Sequence, residues 1–461
     1  MMEFQEQLRL LTQRKTAADG GVQAQVPEGT ARLGGTLFDA GSFVEIGALQ
    51  AEANCLTGHG LVNGRPAYLI AQDPEASGGA MGQAQAAKMV RALDMAERAC
   101  APVVFLLNSQ GAKVLEGAQV LGAYADVFTR MSALSGVCPM LAVVNGPCVG
   151  AAAHFVGLAD IAIAVEKSAV VLPASASVLH AVHGVDAKTV GTADAGLRQG
   201  TVALTSPDEA AALALAAALV DLLPSSAMDM APFVEGDDLN RLLDDAAAGS
   251  GLHLVQAMAD HGTGIELYAP YGKRAHTLLA RVGGRTCGII STEFAQEAGR
   301  LDAASCDKIA RFVRFCDTYD LHVLTLIDSE GLDVPTQDEQ PWLMRAASDM
   351  LAAYADASCP KVAVVTGNAI GTAYVAFAGR SVADVTYAWP ASVISPLTKE
   401  AAVQTFEADQ IKDTDRATLE AQYAQEADGL HAAQQGLVDD VIDPAQTRKY
   451  VIAAMEMLDG R

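Results

Sequence analysis

The stretch that decides the fold is Ala142–His154, which reads Ala-Val-Val-Asn-Gly-Pro-Cys-Val-Gly-Ala-Ala-Ala-His. The apolar residues 140–144 predict a buried strand, residues 145–147 predict a turn, and residues 149–153 predict the start of a helix. A helix start built from small residues leaves backbone N–H groups open to a ligand, with the positive end of the helix dipole behind them. Two interpretations follow: an oxyanion site that needs no side chain, or a tight strand–helix crossing in which small residues serve only packing.

The same pattern occurs a second time in Ala363–Tyr374, which reads Ala-Val-Val-Thr-Gly-Asn-Ala-Ile-Gly-Thr-Ala-Tyr. The interval from Gly146 to Gly367 equals the interval from Gly150 to Gly371 (367 − 146 = 371 − 150). Upstream, three further matches share one interval that is shorter by a single position (284 − 64 = 308 − 88 = 328 − 108): Gly64-Arg65 with Gly284-Arg285, Lys88 with Lys308, and Asn108–Gly111 with Asp328–Gly331. A register kept over this length indicates an internal duplication of one α/β unit.

The composition limits the class of protein. A chain of 461 residues with 51% hydrophobic residues predicts two or three domains with sizeable cores. The net charge of −24 argues against nucleic acid as a partner. The eight cysteines are scattered, without a CxxC motif or a Cys/His cluster, so we expect no metal and no disulfide framework. No signal peptide is evident in residues 1–6. The uncharged stretch 137–159 is interrupted by its predicted turn, so we do not expect it to span a membrane. We therefore predict a cytoplasmic location.

The order of patterns along the chain predicts alternating strands and helices, and therefore an α/β fold. The expected elements are helix 3–18, a Gly-rich link 19–35, a strand after the turn in 37–45, hairpin 55–72 turning at Asn63-Gly64, helix 83–99, strand 102–107, helix 118–135, a helix after Ser206–Glu209 and a last helix 444–458. The expected domain boundaries are 1–32 for the N-terminal helix and link, 33–225 for the first domain, 226–275 for a connecting segment and 276–461 for the second domain.

Several segments together carry a resemblance to a known family: Leu37–Glu45, Gly58–Pro66, Gly78-Gly-Ala-Met-Gly82, Gly146-Pro-Cys-Val-Gly150, Asp307–Asp317, Ala383-Asp-Val-Thr-Tyr-Ala-Trp-Pro390 and Gly436–Pro444. Over residues 33–458 the sequence resembles the carboxyltransferase subunits of biotin-dependent acyl-CoA carboxylases and decarboxylases, in the crotonase superfamily. The resemblance implies two tandem crotonase-like (ClpP/crotonase) spiral ββα domains related by duplication. It also implies an active site formed between the first domain of one subunit and the second domain of another, and so a homo-oligomer.

The resemblance further implies which residues act. Gly150 and Ala151 would donate N–H groups to the thioester oxygen of the acyl-CoA, beside Gly111 and Ala112. The other expected substrate contacts on this side are Gly79, Ala80 and His154. In the second copy, Gly371, Thr372 and Ala373 would donate to the ureido oxygen of biotin, with Gly331 in the loop beside them. No protein base is then obligatory, because the exchange runs between the acyl α-carbon and biotin.

The same resemblance implies partners. Biotin would be attached to a separate protein, the biotin carboxyl carrier protein, since no convincing biotinylation motif is present. A biotin carboxylase or a membrane decarboxylase subunit would be a further partner.

Three positions depart from the family pattern and leave alternatives open. The usual Asp-Ser-Gly-Gly-Ala-Arg loop reads Asn108-Ser-Gln-Gly-Ala-Lys113, a Val-Pro-Gly run is replaced within Asp328–Asp333, and the usual Gly-Gly is Gly371-Thr372. The alternatives are a decarboxylase subunit acting on a dicarboxylic acyl-CoA, another crotonase-type hydratase, hydrolase or isomerase, and a non-catalytic assembly subunit. A standard hydratase is disfavoured, because His154 stands about where its catalytic glutamate would be.

The remaining polar candidates have simpler interpretations. His180 and His183 have metal-like spacing but no third ligand, which predicts a surface pair. Lys88, in a sequence faintly similar to a biotin attachment site, is expected to be an exposed helical lysine like Lys308. Three basic residues could meet the phosphates of CoA: Arg65, Arg91 and Lys113.

Overall fold

The chain forms two compact units, Met1–Met230 and Ala231–Arg461. The computed structural model describes residues 5–11, 13, 36–50, 53–184, 190–243, 251–333, 342–406 and 415–459. Residues 5–11 are helical, as expected, whereas the predicted link 19–35 and the end of the predicted N-terminal helix lie outside the described residues.

The first unit is organised around an eight-stranded sheet. Its strands are β1 (Val44–Ile46), β2 (Cys55–Val62), β3 (Arg65–Gln72), β4 (Val103–Ser109), β5 (Met140–Val149), β6 (Ile161–Val165), β7 (Val170–Leu172) and β8 (Leu204–Ser206). The order is β1-β2-β3-β4-β5-β6-β8, and β7 pairs with β5. The predicted hairpin is confirmed: Asn63 and Gly64 have the positive φ values, 49° and 77°, that a two-residue hairpin turn favours.

Helices cover this sheet and close its core. They are α1 (Gln83–Ala99), α2 (Gln119–Leu134), α3 (Ala153–Leu158), α4 (Ala176–His183), α5 (Ala193–Arg198) and α6 (Glu209–Leu222), with 3-10 turns at Ser77–Gly79, Val114–Glu116 and Gly150–Ala152. Apolar residues three or four apart, such as Met89 and Leu93 on α1 and Val127 and Met131 on α2, form one buried core with Phe105 of β4. The predicted start of α6 is confirmed, with the Asp208 side chain accepting the Ala211 N–H.

The second unit repeats this arrangement. Its strands are β9 (Ile265–Leu267), β10 (Ala275–Val282), β11 (Arg285–Thr292), β12 (His322–Ser329), β13 (Lys361–Ile370), β14 (Val385–Ala388), β15 (Val393–Ser395) and β16 (Asp440–Val441). Its helices are α7 (Leu252–Met258), α8 (Ala303–Thr318), α9 (Leu343–Asp356), α10 (Thr372–Phe377), α11 (Lys399–Phe406), α12 (Arg416–Glu426), α13 (Gly429–Gln434) and α14 (Thr447–Leu458), with 3-10 turns at Glu297–Gly299 and Pro444–Gln446.

The two sheets have the same topology. The second sheet has the order β9-β10-β11-β12-β13-β14-β16, and β15 pairs with β13 as β7 pairs with β5. Gly150 and Gly371 therefore occupy the same topological position, directly after β5 and β13. The predicted α/β fold with two matching domains is confirmed. Within the segment expected to connect them, α7 and β9 belong to the second unit, since β9 pairs with β10.

The predicted turn at residues 145–147 is wrong, because β5 continues through it to Val149. Val144 of β5 lies opposite Leu107 of β4 and Cys148 lies opposite Ser109, so β5 contains two extra residues at this point. Asn145-Gly146-Pro147 thus forms an irregularity inside the strand, where such residues are tolerated. The irregularity moves β5 from pairing with β6 to pairing with β7.

The predicted exposure of Lys88 and Lys308 is also wrong, since only 5% and 1% of their surfaces are exposed. The Lys88 ammonium donates to the Cys55 carbonyl (2.7 Å), and that of Lys308 donates to the Ala275 carbonyl (2.8 Å). Burial lowers the pKa of Lys308 to about 8, against the opposing influence of nearby carboxylates. These lysines join equivalent helices and strands in the two units, which an amphipathic pattern alone could not reveal.

Three further observations bear on the composition of the chain. All eight cysteines are unpaired, and seven of them are buried. No three His, Cys, Asp or Glu side chains within the described residues are grouped as a metal site would require. None of the helices described is long and apolar enough to cross a membrane.

Candidate functional site

The first candidate site begins where β5 ends. Gly150 has φ +64°, a value that favours glycine, and a Cβ atom there would meet nothing within 4 Å. The Ala153 N–H donates to the Gly150 carbonyl and closes the 3-10 turn. The N–H groups of Gly150 and Ala151 precede that first bond, so they have no acceptor within the turn. At Gly150, therefore, the backbone conformation requires glycine, and close packing does not.

A loop from the end of β4 lies against this turn. Gly111 has φ +104°, and its Cβ position is 3.2 Å from the Val149 carbonyl oxygen. Its own N–H donates to the Ser109 hydroxyl (3.1 Å). The structure thus brings Gly111, and with it the loop that contains Ala112, next to the residue that precedes Gly150.

Gly79 and Ala80 belong to the turn that packs behind this loop. A Cβ atom on Gly79 would lie 1.9 Å from the Asn108 carbonyl oxygen, so no larger residue fits. The N–H of Gly79 donates to Ala76 (3.1 Å) and that of Ala80 donates to Ser77 (3.2 Å). Since both N–H groups are already bonded, these residues shape the wall of the candidate site and do not offer donors to it.

His154 lies one helical turn beyond Ala151, and its side chain is exposed. The imidazole contacts the Phe128 ring edge-on, with 5.8 Å between ring centroids. This contact anchors the ring on α2 beside the candidate site. Whether His154 touches a substrate stays a prediction.

The second candidate site repeats the geometry of the first. Gly371 has φ +53°, and the Val375 N–H donates back to its carbonyl (3.2 Å), so the N–H groups of Thr372 and Ala373 precede the first bond of α10. The Gly371 N–H already donates to Ser395 (2.9 Å). Of the three predicted donors, Thr372 and Ala373 are therefore the two that remain uncommitted within the helix.

Gly331 faces this second turn as Gly111 faces the first. It has φ +97°, and its Cβ position is 3.0 Å from the Ile370 carbonyl oxygen and 3.9 Å from the Thr372 nitrogen. A side chain at Gly331 would fill the space beside the Thr372 N–H. The structure thus brings Gly331, Gly371, Thr372 and Ala373 together.

Sequence reasoning missed Asp328 as the residue that holds the end of β12 next to this site. Its carboxylate accepts the Asn368 N–H (2.8 Å) and the Asn368 side-chain amide (3.2 Å). Burial raises the pKa of Asp328, against the effect of these hydrogen bonds. Its backbone N–H and carbonyl both bond to the Thr292 hydroxyl. The available signal was its place in the duplication, where it matches Asn108 at the end of β4.

The other polar candidates are separate from the two turns or already engaged. The Arg65 guanidinium donates to the carbonyls of Val220 and Leu223 (both 2.8 Å), which ties the first hairpin to α6. Lys113 lies 3.7 Å from the Glu116 carboxylate, beside the first candidate site. Both His180 and His183 are exposed on α4, which confirms the predicted surface pair.

Comparison with known proteins identifies the family. Residues 35–461 match the family described as the carboxyl transferase domain. The alpha subunit of methylmalonyl-CoA decarboxylase from Propionigenium modestum is 34% identical, over 92% of this chain and 89% of that protein. The 12S subunit of methylmalonyl-CoA carboxyltransferase from Propionibacterium freudenreichii subsp. shermanii is 32% identical, over 97% of this chain and 93% of that protein.

A solved structure agrees in fold and sequence. Transcarboxylase 12S, a hexamer with methylmalonyl-coenzyme A and methylmalonic acid bound, superposes with a TM-score of 0.88 and 31% identity, covering 98% of this chain and 94% of that one. The class defined by these comparisons is that of the biotin-dependent acyl-CoA carboxyltransferases. The chain belongs to the carboxyl transferase family, and the resemblance seen in the sequence is confirmed.

Proposed function

We propose that the chain transfers a carboxyl group between an acyl-CoA and biotin borne by a separate carrier protein, with the acyl-CoA thioester at the first turn and biotin at the second. One observation carries the proposal. Each unit contains a glycine of positive φ after its central strand, followed by N–H groups without an intrahelical acceptor and faced by a second glycine. The reaction develops negative charge on two oxygens, and the duplication supplies two matching donor sites.

At the first turn, the N–H groups of Gly150 and Ala151 would bind the thioester oxygen. Exchange of the carboxyl group at the α-carbon places negative charge on that oxygen, and backbone donors held in place by a turn stabilise it without reorganising. Each donor contributes about 3 kcal/mol of transition-state stabilisation in comparable sites. Gly111 and Ala112 would border the oxygen from the neighbouring loop.

At the second turn, the residues present fit the ureido group of biotin. When bound, biotin supplies a ureido nitrogen that carries the carboxyl group. The N–H groups of Thr372 and Ala373 would hold the ureido oxygen, and the absence of a side chain at Gly331 leaves room beside them. Thr372 narrows this turn relative to the first, where Ala151 takes its place. No side-chain base is required, and none is assigned.

The relatives indicate the substrate class. Those compared above are a methylmalonyl-CoA decarboxylase subunit and a methylmalonyl-CoA carboxyltransferase subunit, and another, from Roseobacter denitrificans, is a propionyl-CoA carboxylase beta chain with 32% identity. We therefore propose a short-chain acyl-CoA of the propionyl/methylmalonyl type. Because carboxylases and decarboxylases both occur among the relatives, the direction of transfer is set by the partner subunit, either a biotin carboxylase or a membrane decarboxylase subunit.

Assembly and location are part of the same proposal. A homo-oligomer is supported by the hexamer formed by transcarboxylase 12S, and a monomer by light scattering at micromolar concentration would contradict it. A cytoplasmic location is supported by the eight unpaired cysteines.

The test is an assay with free biotin and a panel of malonyl-, methylmalonyl- and glutaconyl-CoA, following loss of the carboxylate. We expect biotin-dependent loss from methylmalonyl-CoA, with acyl-CoA binding detected in parallel by calorimetry. Binding without any biotin-dependent turnover would favour another crotonase-type activity. Absence of acyl-CoA binding would favour a non-catalytic assembly subunit.

A further inference from the structure

The loop that contains Gly331 is held from one side by two arginines. The Arg300 guanidinium lies 3.1 Å from the Glu330 carboxylate, and that of Arg274 lies 2.9 Å from the Asp333 carboxylate. We call these four residues the loop clamp. The Arg274–Asp333 pair is about four-fifths buried on both sides, so solvent and salt screen it less than an open surface pair. Glu330 and Asp333 flank Gly331 closely along the chain.

Backbone hydrogen bonds already join this loop to the turn behind it, and they are the same in both units. The Leu301 N–H donates to Gly331 (2.8 Å) and the Asp333 N–H donates to Leu301 (2.9 Å). In the first unit, the Met81 N–H donates to Gly111 (2.8 Å) and the Lys113 N–H donates to Met81 (2.9 Å). These shared bonds set the backbone path of the loop in both units, and the clamp adds side-chain anchors to that path in the second unit.

The first unit has no equivalent clamp within the residues that the structure describes. The interval of the duplication (308 − 88) places Gln110 at Glu330, Lys113 at Asp333, Ala80 at Arg300 and Asn54 at Arg274. Lys113 pairs with Glu116 of its own loop and does not bridge to the turn. The clamp is thus confined to the unit that we assign to biotin.

Arg274 connects the clamp to rigid parts of the second unit. Its guanidinium also donates to the Arg300 carbonyl (2.8 Å) and lies 3.8 Å from Asp302. Asp302 caps α8 by accepting the Ser305 N–H (2.8 Å), and Arg274 immediately precedes β10. One guanidinium therefore ties the loop to a helix end and a strand start.

From these contacts we infer that Arg274 and Arg300 are positioning residues for the biotin reaction: they fix loop 328–333 so that Gly331 stays beside the Thr372 N–H. The inference rests on the proposed function. Donors at such a site act only when they are held in place, and misplacement by about 1 Å can lower a rate by about 100-fold. Loosening one anchor while the backbone bonds remain should have a smaller effect, about 10-fold on turnover with free biotin.

The test compares Arg300→Gln and Arg274→Gln with the wild type in biotin-dependent decarboxylation of methylmalonyl-CoA. We expect kcat to fall about 10-fold or KM for biotin to rise, with the affinity for acyl-CoA unchanged by calorimetry. The charge-swapped double variant Arg300→Glu, Glu330→Arg should recover most of the lost turnover, since the pair is restored in reverse. Arg314→Gln is the matched control: it breaks the Arg314–Asp349 pair (2.6 Å) between α8 and α9 and should leave turnover unchanged.

Each outcome decides the question. Wild-type turnover in both single variants would overturn the inference, as would a folded charge swap that recovers nothing. If Arg300→Gln fails to fold, Glu330→Gln removes the same pair from the loop side and takes its place, and Asp333→Asn does the same for Arg274→Gln. If the wild-type protein itself shows no biotin-dependent transfer, the proposed function is wrong and this inference falls with it. A defect confined to the clamp variants, with an active wild type, supports it.

Discussion

Gly146 contacts Asn108 so closely that a Cβ atom on this glycine would lie 2.4 Å from the asparagine side chain. The relationship recurs in the second unit, where a Cβ atom on Gly367 would lie 2.3 Å from the Asp328 side chain. In both units the contact lies at the irregularity where the central strand changes its pairing partner. Gly146 and Gly367, whose spacing helped to indicate the duplication, are thus required by the same close contact in each copy.

Gly146→Ala and Gly367→Ala should each lower the free energy of unfolding by about 1–3 kcal/mol, because the added methyl group overpacks the contact with the Asn108 or Asp328 side chain. Urea denaturation monitored by circular dichroism measures the change. Gly122→Ala on α2 is the matched control, since its Cβ would meet nothing within 4 Å. It should be neutral or stabilising by up to about 1 kcal/mol. Equal stability of all three variants would contradict the contact.

Ala151→Pro should leave the fold intact and lower turnover by about 10²–10³-fold, because proline removes one proposed N–H donor. The position precedes the first bond of its turn, so nothing within the turn is lost. Steady-state kinetics with acyl-CoA and biotin measure the effect.

The control for that variant is Arg416→Pro, which places a proline at the first position of α12 on the surface. It should retain full turnover. Because the proline ring adds bulk, acyl-CoA affinity is measured alongside. An Ala151→Pro protein that folds, binds acyl-CoA normally and transfers carboxyl groups at the wild-type rate would show that Ala151 is not a donor.

Lys308→Met should flatten the pH dependence of stability between about pH 8 and 10.5. Burial lowers the pKa of Lys308 from 10.5 to about 8, so in this window the unfolded chain holds a proton that the folded chain has lost. The free energy of unfolding of the wild type therefore rises with pH across the window, by at most about 1.4 kcal/mol per pH unit from this group.

Urea denaturation at pH 7.5 and 9.5 tests this, with wild type and variant compared at each pH. Lys399→Met, at a half-exposed position on α11, controls for loss of a positive charge. If Lys308→Met and the wild type gain stability equally between the two pH values, another group is responsible.

The purified chain should carry no biotin in a streptavidin blot. Lys88, the residue in the sequence that faintly resembles an attachment site, is buried and donates to the Cys55 carbonyl. A ligase could not reach its ammonium group without opening α1. Detection of biotin on this chain would refute a separate carrier, and mass spectrometry of the labelled peptide would identify the modified residue.

Much of the fold and part of the site could be predicted from the sequence, for reasons that are local. Apolar runs, the Asn63-Gly64 turn and the Asp208 helix start each act through neighbouring residues. The duplication could be recognised because both copies need glycine at the same places: Gly150 and Gly371 for a positive φ, Gly146 and Gly367 for close contact.

Only the tertiary structure decided which groups are buried, bonded or free, because these depend on residues distant in sequence. The buried Lys308 ammonium donates to the carbonyl of Ala275, a residue distant along the chain. β5 continues through Asn145-Gly146-Pro147 because the last residues of this strand pair with β7. The Gly371 N–H is committed to Ser395, which leaves Thr372 and Ala373 as the proposed donors. Arg274 meets Asp333 although three strands and a helix separate them along the chain, a separation over which no local pattern in the sequence carries information.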